Sequence, residues 1–351
     1  MKKVLYLTNI EVPYRVEFFN LLGKECDLTV VYERRSSFNR DSSWASAVEK
    51  KFKYLYLDGK KIGNENAFSL RILSIINKKW DLVVVGCYNS AAQILAMALM
   101  KLKHIPYVIN LDGEPFLENN FKTKMKLLVL RSATAYLVAG ESAKSSLRKV
   151  VGEEKLIVPY YFSSLTEKEI EKNSSYSNNR DKFILVVGQY FDYKGMDVAF
   201  LAASRDRSLH YKFIGMGKRT DLFKKDMVDL PSNIEIIPFL SKKELEYEYQ
   251  HCSLVLLPSR QECWGLVVNE AASFGTPIVS TWGSGAALDF LATDYPQYLA
   301  NPGDVDSLLV CIKLCLNSEN KLYSHYLKKK SFEYTIEKSV KAHLELFNEM
   351  W

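Results

Sequence analysis

LVLLPSRQECWGLVVNEAASFGTPIVS, residues 254–280, reads as strand, loop, helix, turn and strand. An apolar run closes at Pro258 and Ser259, a polar loop follows, and residues 266–274 carry the apolar periodicity of a half-buried helix. Gly275, Thr276 and Pro277 stop that helix before Ile278 and Val279 begin a second apolar run. Glu262 falls in the loop after the first strand, and Glu270 falls eight residues later, about one turn into the helix. In an open α/β sheet the loops beyond the carboxyl ends of the strands are where ligands sit. Helix-start amides around Gly265 and Leu266 lack intrahelical partners and suit an anion. Carboxylates beside an anion site suit a ligand bearing both hydroxyls and phosphate. On spacing alone a second reading stays open, with Glu262 a solvated loop residue and Glu270 an ordinary helix-surface position.

Upstream and downstream of this unit the same alternation recurs. Strands are expected near residues 3–8, 28–32, 54–57, 82–86, 107–110, 135–138 and 156–158, with helices over 14–22 and 90–102. A second series follows at residues 183–187, 211–214, 234–237, 253–257 and 278–279. Runs rich in Val, Ile and Leu, separated by helices, predict parallel sheets covered on both faces. At 351 residues the chain exceeds the size of one ordinary core. We therefore expect two doubly wound Rossmann-like domains facing a central cleft. The first spans residues 1–165 and the second 183–335. The polar segment TEKEIEKNSSYSNNRDK, residues 166–182, is the expected linker between them, with an ordered first turn at its helix-like start TEKEIEK. The end of the chain, 305–316 and 321–351, is helical by pattern, and Lys328, Lys329 and Lys330 read as a solvated face.

Composition excludes several classes. Hydrophobic residues make up 48% and charged residues 25%, as in a folded domain. The net charge of +6 is spread along the chain, so it permits anionic ligands without implying nucleic acid. The six cysteines form no C-x-x-C pair and have no histidines at metal-ligand spacing, which predicts reduced, mostly buried thiols and no metal site. The first crossover lacks G-x-G-x-x-G, so no dinucleotide cofactor is expected there, and no bound cofactor is expected elsewhere. No uncharged apolar run reaches the length of a membrane span, which gives a cytoplasmic expectation. Basic amphipathic stretches at 121–131 and at Lys144, Arg148 and Lys149 fit either a helix packed on the sheet or peripheral contact with an anionic membrane.

The second domain opens with ILVVGQYFDYKGMD, which places Gly188, Gln189, Lys194 and Gly195 at a strand end. Gly215, Met216 and Gly217 follow the next strand, and Gly283 with Gly285 follow the strand that closes the opening unit. Lys194 is either a solvated loop lysine or the cation for a diphosphate. These residues resemble the retaining GT-B glycosyltransferases of family 4, the glycosyl transferases group 1. Glu262 and Glu270 match that family's E-x7-E, GQYFDYKG resembles its phosphate element, and IGMG resembles its G-x-G loop. The similarity is specific over about residues 183–310. In the first domain it rests on element order, with LDGEP and VPYR resembling members that build bacterial surface polysaccharides.

The resemblance implies transfer of a sugar from a nucleotide-sugar donor to a hydroxyl of a glycan or lipid-linked glycan, with retention and without a metal. It implies that Lys194 meets the diphosphate, Glu262 the donor-sugar hydroxyls and Glu270 the ribose. Gly188, Gln189, Gly215, Gly217, Gly265 and Leu266 would line the nucleotide. Residues 336–351 would cross back to the first domain. Two departures stand out. The arginine usual after the first glycine is Gln189 here, which leaves Arg260 or Lys218 as substitutes, and no histidine accompanies Asp112 and Glu114 in LDGEP. Those two carboxylates are candidates for orienting the acceptor, or else a turn residue and a solvated side chain. A GT-B nucleotide-sugar epimerase and a non-catalytic nucleotide-sugar-binding partner of an assembly complex are the competing functions.

Overall fold

The computed structural model describes residues 1–35, 48–63, 66–86, 88–113, 127–175, 180–227 and 230–351, and for Lys218 the backbone alone. The expectations for Glu114, for the side chain of Lys218 and for the lysines of 121–126 lie outside the described residues. Two compact units make up the chain: Met1–Tyr161 with Ile336–Trp351, and Phe162–Thr335.

In the first unit β1 (Lys3–Ile10), β2 (Asp27–Arg34) and β3 (Lys53–Tyr56) are followed by a short antiparallel pair, β4 (Lys60–Ile62) and β5 (Asn66–Phe68). Then come β6 (Leu82–Val85), β7 (Tyr107–Leu111), β8 (Ala135–Ala139) and β9 (Leu156–Tyr160). The main sheet runs β3-β2-β1-β6-β7-β8-β9, every pair parallel, so the winding reverses between β1 and β6. Val4, Leu5, Tyr6 and Leu7 are all buried because helices cover both faces, which is why β1 reads as a continuous apolar run. Helix α1 (Pro13–Glu25) begins with proline in its first turn, where the missing N–H costs nothing. Helices α2 (Arg71–Ile76), α3 (Ala91–Leu102) and α4 (Gly140–Val151) complete the described crossovers. Helix α4 turns Ala143, Leu147 and Val151 inward, while Lys144 and Arg148 pair with Glu141 and Glu153. Pro159 does not end its strand as its chemistry predicts. It lies within β9, an edge strand whose outer side needs no donor.

The second unit repeats the plan. After α5 (Glu167–Ser174) come β10 (Asp181–Val187), α6 (Met196–Arg205), β11 (His210–Ile214), α7 (Thr220–Asp226) and β12 (Ile234–Ile237). Next are α8 (Lys242–His251), β13 (Cys252–Leu256), α9 (Leu266–Ser273), β14 (Ile278–Thr281), α10 (Gly285–Leu291) and β15 (Leu299–Ala300), before α11 (Val305–Asn317) and α12 (Lys321–Ser331). Its parallel sheet runs β12-β11-β10-β13-β14-β15, reversing between β10 and β13. Helix α13 (Ile336–Met350) belongs to the first unit, where buried His343 packs edge-on to Phe18 at 4.7 Å and Tyr160 at 5.0 Å.

Three expectations need correction. Residues 166–182 are not a plain linker: Thr166 and Glu169 form a capping box that starts α5, and Asn173 bonds Ser273 Oγ at 2.9 Å. The lysine triplet is not wholly a solvated face. Lys328 is half-buried and donates to Ser174 O at 2.8 Å, satisfying a carbonyl at the end of α5. A sixth strand, β15, was absent from the expected second series because two residues are too few for a periodicity.

A half-buried cation, Arg180, ties several segments of the second unit together. Arg180 donates to Tyr249 O and Gln250 O at the end of α8, to Phe274 O at the end of α9, and to Thr276 Oγ1 at 2.8 Å. Helix carboxyl ends carry partial negative charge, so the guanidinium completes both. Five free cysteines are described, and all but Cys263 are buried. Among the described residues no helix is long and apolar enough to cross a membrane.

Candidate active site

The winding reversal of the second sheet puts the loop after β10 beside the loop after β13, although about seventy residues of sequence separate them. Three constraints fix how they meet. Tyr193 O accepts from Arg260 N at 2.8 Å and Gln261 N at 3.1 Å, which clips one loop to the other. Gly195 holds φ at 66° and leads into α6. A Cβ there would lie 2.0 Å from Pro258 O, so no other residue allows this approach. On the far side Glu262 N donates to Gly283 O at 2.8 Å, and Glu262 bridges to Ser284 as a minimal extra ladder. A Cβ on Gly283 would meet Arg260 O at 2.3 Å, which explains the glycine after Trp282.

These clips bring Lys194 and Glu262 together. Lys194 Nζ donates to Glu262 Oε2, and Ser259 Oγ donates to the same oxygen at 3.3 Å. The two side chains keep only 21% and 13% of their surface exposed, so this is a largely desolvated pair rather than a surface bridge. Next to Glu262, Gly265 turns the chain into α9, whose first amides have no intrahelical acceptor. Trp264 Nε1 donates to Asn269 Oδ1 at 2.8 Å, and Asn269 Nδ2 donates to Phe162 O at 3.1 Å, which locks that turn to the body of the unit.

The other site residues fall into place around this pair. Gly188 N donates to Ile214 O at 2.9 Å, and Gly217 N donates to Pro238 O at 2.7 Å, so the loops after β10, β11 and β12 lie in a row along one sheet edge. Glu270 stands on α9 and accepts from Tyr249 Oη at 2.8 Å and Ser164 Oγ at 3.0 Å. Burial raises its pKa above the ordinary carboxylate value, and the two hydroxyl donors only partly offset that. Tyr249 and Ser164 were not singled out from sequence. The only signal was Tyr249 in the amphipathic helix before β13, since nothing local marks Ser164.

Arg260, one of the two substitutes for the cation missing at Gln189, is paired with a carboxylate. It forms a two-pronged pair with Asp197 at 2.8 and 2.7 Å, and also donates to Asp192 O at 2.8 Å. That fork fixes the start of α6 and neutralises the charge. The residue that does stand over the loop is Arg219, which the sequence reading passed over. Its guanidinium lies 4.0 Å from the centre of the Phe191 ring and donates to Tyr190 O at 3.3 Å.

Asp112 belongs to the first unit, just past β7, and is half-exposed. It accepts from buried Arg15 and from Tyr160 Oη at 2.7 Å. Burial works against the charge on Arg15, yet Asp112 together with Tyr6, Tyr160 and Tyr14 outweighs it and holds the guanidinium well above its usual pKa. Asp112 is therefore a fixed member of a charged network rather than a loose turn residue. Among the described residues no cluster of three or more His, Cys, Asp and Glu is arranged to hold a metal ion.

Two doubly wound parallel sheets are the GT-B architecture, and the second carries a charged site at its winding reversal. Residues 167–333, within the second unit, match the family described as Glycosyl transferases group 1. It is 24% identical over 271 residues to an uncharacterized glycosyltransferase of Haemophilus influenzae, covering 74% of this chain and 73% of that protein. Over 133 residues, 36% of this chain and 34% of its relative, it is 30% identical to the 2-deoxystreptamine N-acetyl-D-glucosaminyltransferase of Niallia circulans. Anabaena HepE, solved in complex with UDP, superposes with a TM-score of 0.72 at 13% identity, covering 99% of this chain and all of HepE. HepE has also been solved with UDP-glucose.

Proposed function

We propose that this protein moves a sugar from a nucleotide-sugar donor to a hydroxyl of a glycan or lipid-linked glycan, with retention of anomeric configuration and without a bound metal. The observation that carries this reading is the Lys194–Glu262 pair at the β10/β13 reversal, beside the start of α9. The UDP and UDP-glucose complexes of HepE, a protein of the same fold, supply the class of donor. As a diphosphate arrives, Lys194 exchanges its carboxylate partner for phosphate oxygens, and the amides of Gly265 and Leu266 take a second oxygen. Negative charge grows on the leaving diphosphate as the glycosidic bond opens. A fixed ammonium and oriented amides stabilise that change with little reorganisation, the role a divalent ion fills in other transferases.

Glu262, released from Lys194, accepts from donor-sugar hydroxyls. Glu270 keeps acceptor positions beyond Tyr249 and Ser164 for the two ribose hydroxyls. Gly188, Gly215 and Gly217 leave room for the nucleotide at the strand ends, and Gln189 contributes a neutral donor. The donor site thus lies within residues 183–335. Asp112, held by Arg15 and Tyr160, orients the acceptor hydroxyl from residues 1–165. LDGEP and VPYR support an acceptor from bacterial surface polysaccharide synthesis, met at the inner face of the membrane.

The test is an assay of the full chain with UDP-, GDP- and ADP-sugars and lipid-linked glycan acceptors, in EDTA, with product anomers read by NMR. Transfer with retention that survives the chelator is the expected result. Inversion, a strict requirement for manganese or magnesium, epimerisation, or binding without turnover would each overturn the reading.

A further inference from the structure

Among the described side chains, Lys194, Arg260 and Arg219 are cations on the strand-end loops of the second unit, and their partners differ. Lys194 shares its charge with Glu262, and Arg260 is neutralised by the two oxygens of Asp197. Arg219 has no carboxylate partner among the described residues; a ring face and a backbone carbonyl hold it instead. It ends the short turn Gly217–Arg219, just before α7. That turn follows β11, whose last residue, Ile214, accepts from Gly188 N. The chain direction therefore brings Arg219 back over the loop that carries Gln189 and Lys194.

Aromatic residues set the spacing. Phe191 and Tyr193 stack at 5.4 Å with 16° between their planes. Arg219 lies against Phe191, and Lys194 Nζ lies 5.8 Å from the centre of the Tyr193 ring. Two cations thus bracket one stacked pair, one from each neighbouring strand-end loop. Ring faces attract cations and restrict a guanidinium without consuming its charge in an ion pair. A nucleoside diphosphate carries more negative charge than one lysine, itself shared with Glu262, can balance.

We propose that Arg219 is the second cation of the donor site and binds the diphosphate opposite Lys194, supplying from β11 the charge that Gln189 lacks. This rests on the nucleotide-sugar reading above. The experiment is calorimetry on the full chain with UDP, GDP and ADP and with the corresponding nucleosides, for wild type, Arg219→Gln, Arg219→Ala and the pair Arg219→Gln with Gln189→Arg. Arg219→Gln keeps much of the bulk and a hydrogen-bond donor, so it serves if the alanine variant does not fold.

Loss of the charge should weaken the preferred diphosphate about tenfold or more, as expected for a charge-assisted contact, and leave the nucleoside unchanged. Adding Gln189→Arg should restore most of the loss, because it puts a guanidinium on the same loop. Equal losses for diphosphate and nucleoside, with no rescue, would show that Arg219 only packs the loop and would overturn the proposal. Unaltered diphosphate affinity in a folded Arg219→Gln would overturn it while leaving the donor reading intact. A wild type that binds none of the three diphosphates would overturn both.

Discussion

Separating Lys194 from Glu262 should expose how the site divides its work between phosphate and sugar. The free pair is a lysine and a carboxylate with 21% and 13% of their side chains exposed, plus one 3.3 Å hydrogen bond from Ser259. An exposed pair contributes about 0.2–1 kcal/mol. Removing one partner of a fully buried pair costs about 3–5 kcal/mol, because the remaining charge is left unpaired. This pair lies between those limits. Lys194→Met should cost about 2 kcal/mol, since Glu262 would keep only Ser259, and Glu262→Gln about 1 kcal/mol. The double variant should fall about 1.5 kcal/mol short of the sum, within the range measured for residues in contact. Urea unfolding of the four proteins measures this directly. Donor binding should split the two variants in opposite senses. Lys194→Met should weaken a bare nucleoside diphosphate, whereas Glu262→Gln frees the ammonium and should leave that ligand as tight or up to about tenfold tighter. The same Glu262→Gln should weaken the cognate sugar nucleotide and slow transfer. Additive stabilities, together with equal losses of diphosphate affinity in both variants, would refute the exchange of partners on which the mechanism depends.

Further outcomes follow from groups around the site and in the first unit. His343 is buried with Nε2 lacking a hydrogen-bond partner, and burial pushes its pKa down to about 3. The unfolded chain takes up this proton near pH 6.5 while the native state does not, so stability should fall as pH drops through that window. The loss by pH 4.5 should be on the order of 2–3 kcal/mol, and His343→Phe should flatten that part of the urea-derived profile of the first unit. The carboxyl of Glu270 has the opposite sign. Its raised pKa means the native state holds the proton more tightly, so its charge weakens stability as pH rises from the ordinary carboxylate value to the raised one. Glu270→Gln should remove that slope and narrow the preference for a nucleoside diphosphate over its 2′-deoxy analogue in calorimetry. Arg180→Met leaves three carbonyls at two helix ends and the Thr276 hydroxyl without their cation, and should lower stability by about 2–4 kcal/mol in thermal or urea melts.

What was legible in the sequence was whatever a short window contains. Buried parallel strands announce themselves as apolar runs, and the opening unit placed Glu262 in a loop and Glu270 on a helix because strand, turn and helix signals lie within a few residues of each other. Beyond its helix-like start, the extent of helix α5 escaped because only Ile170 and Asn173 turn inward, too few for a stripe. The hairpin of β4 and β5 escaped because β4 is fully exposed and has no alternation to read. The partners of the site residues were not legible for a different reason. Lys194 meets Glu262, and Arg260 meets Asp197, because β10 and β13 are neighbours in a sheet whose order departs from chain order. No local pattern encodes that adjacency. It arises when the third strand of the series turns outward beyond the second and the fourth returns to the first, on its other side. The same order decides which arginine meets a carboxylate. Arg260 belongs to the loop that the reversal presses against the start of α6, where Asp197 waits, while Arg219 comes from the neighbouring strand on the opposite side and meets rings instead of a carboxylate. The sequence offered Arg260 or Lys218 as the second cation, and the topology of the sheet gives Arg260 a carboxylate partner that no local pattern announces.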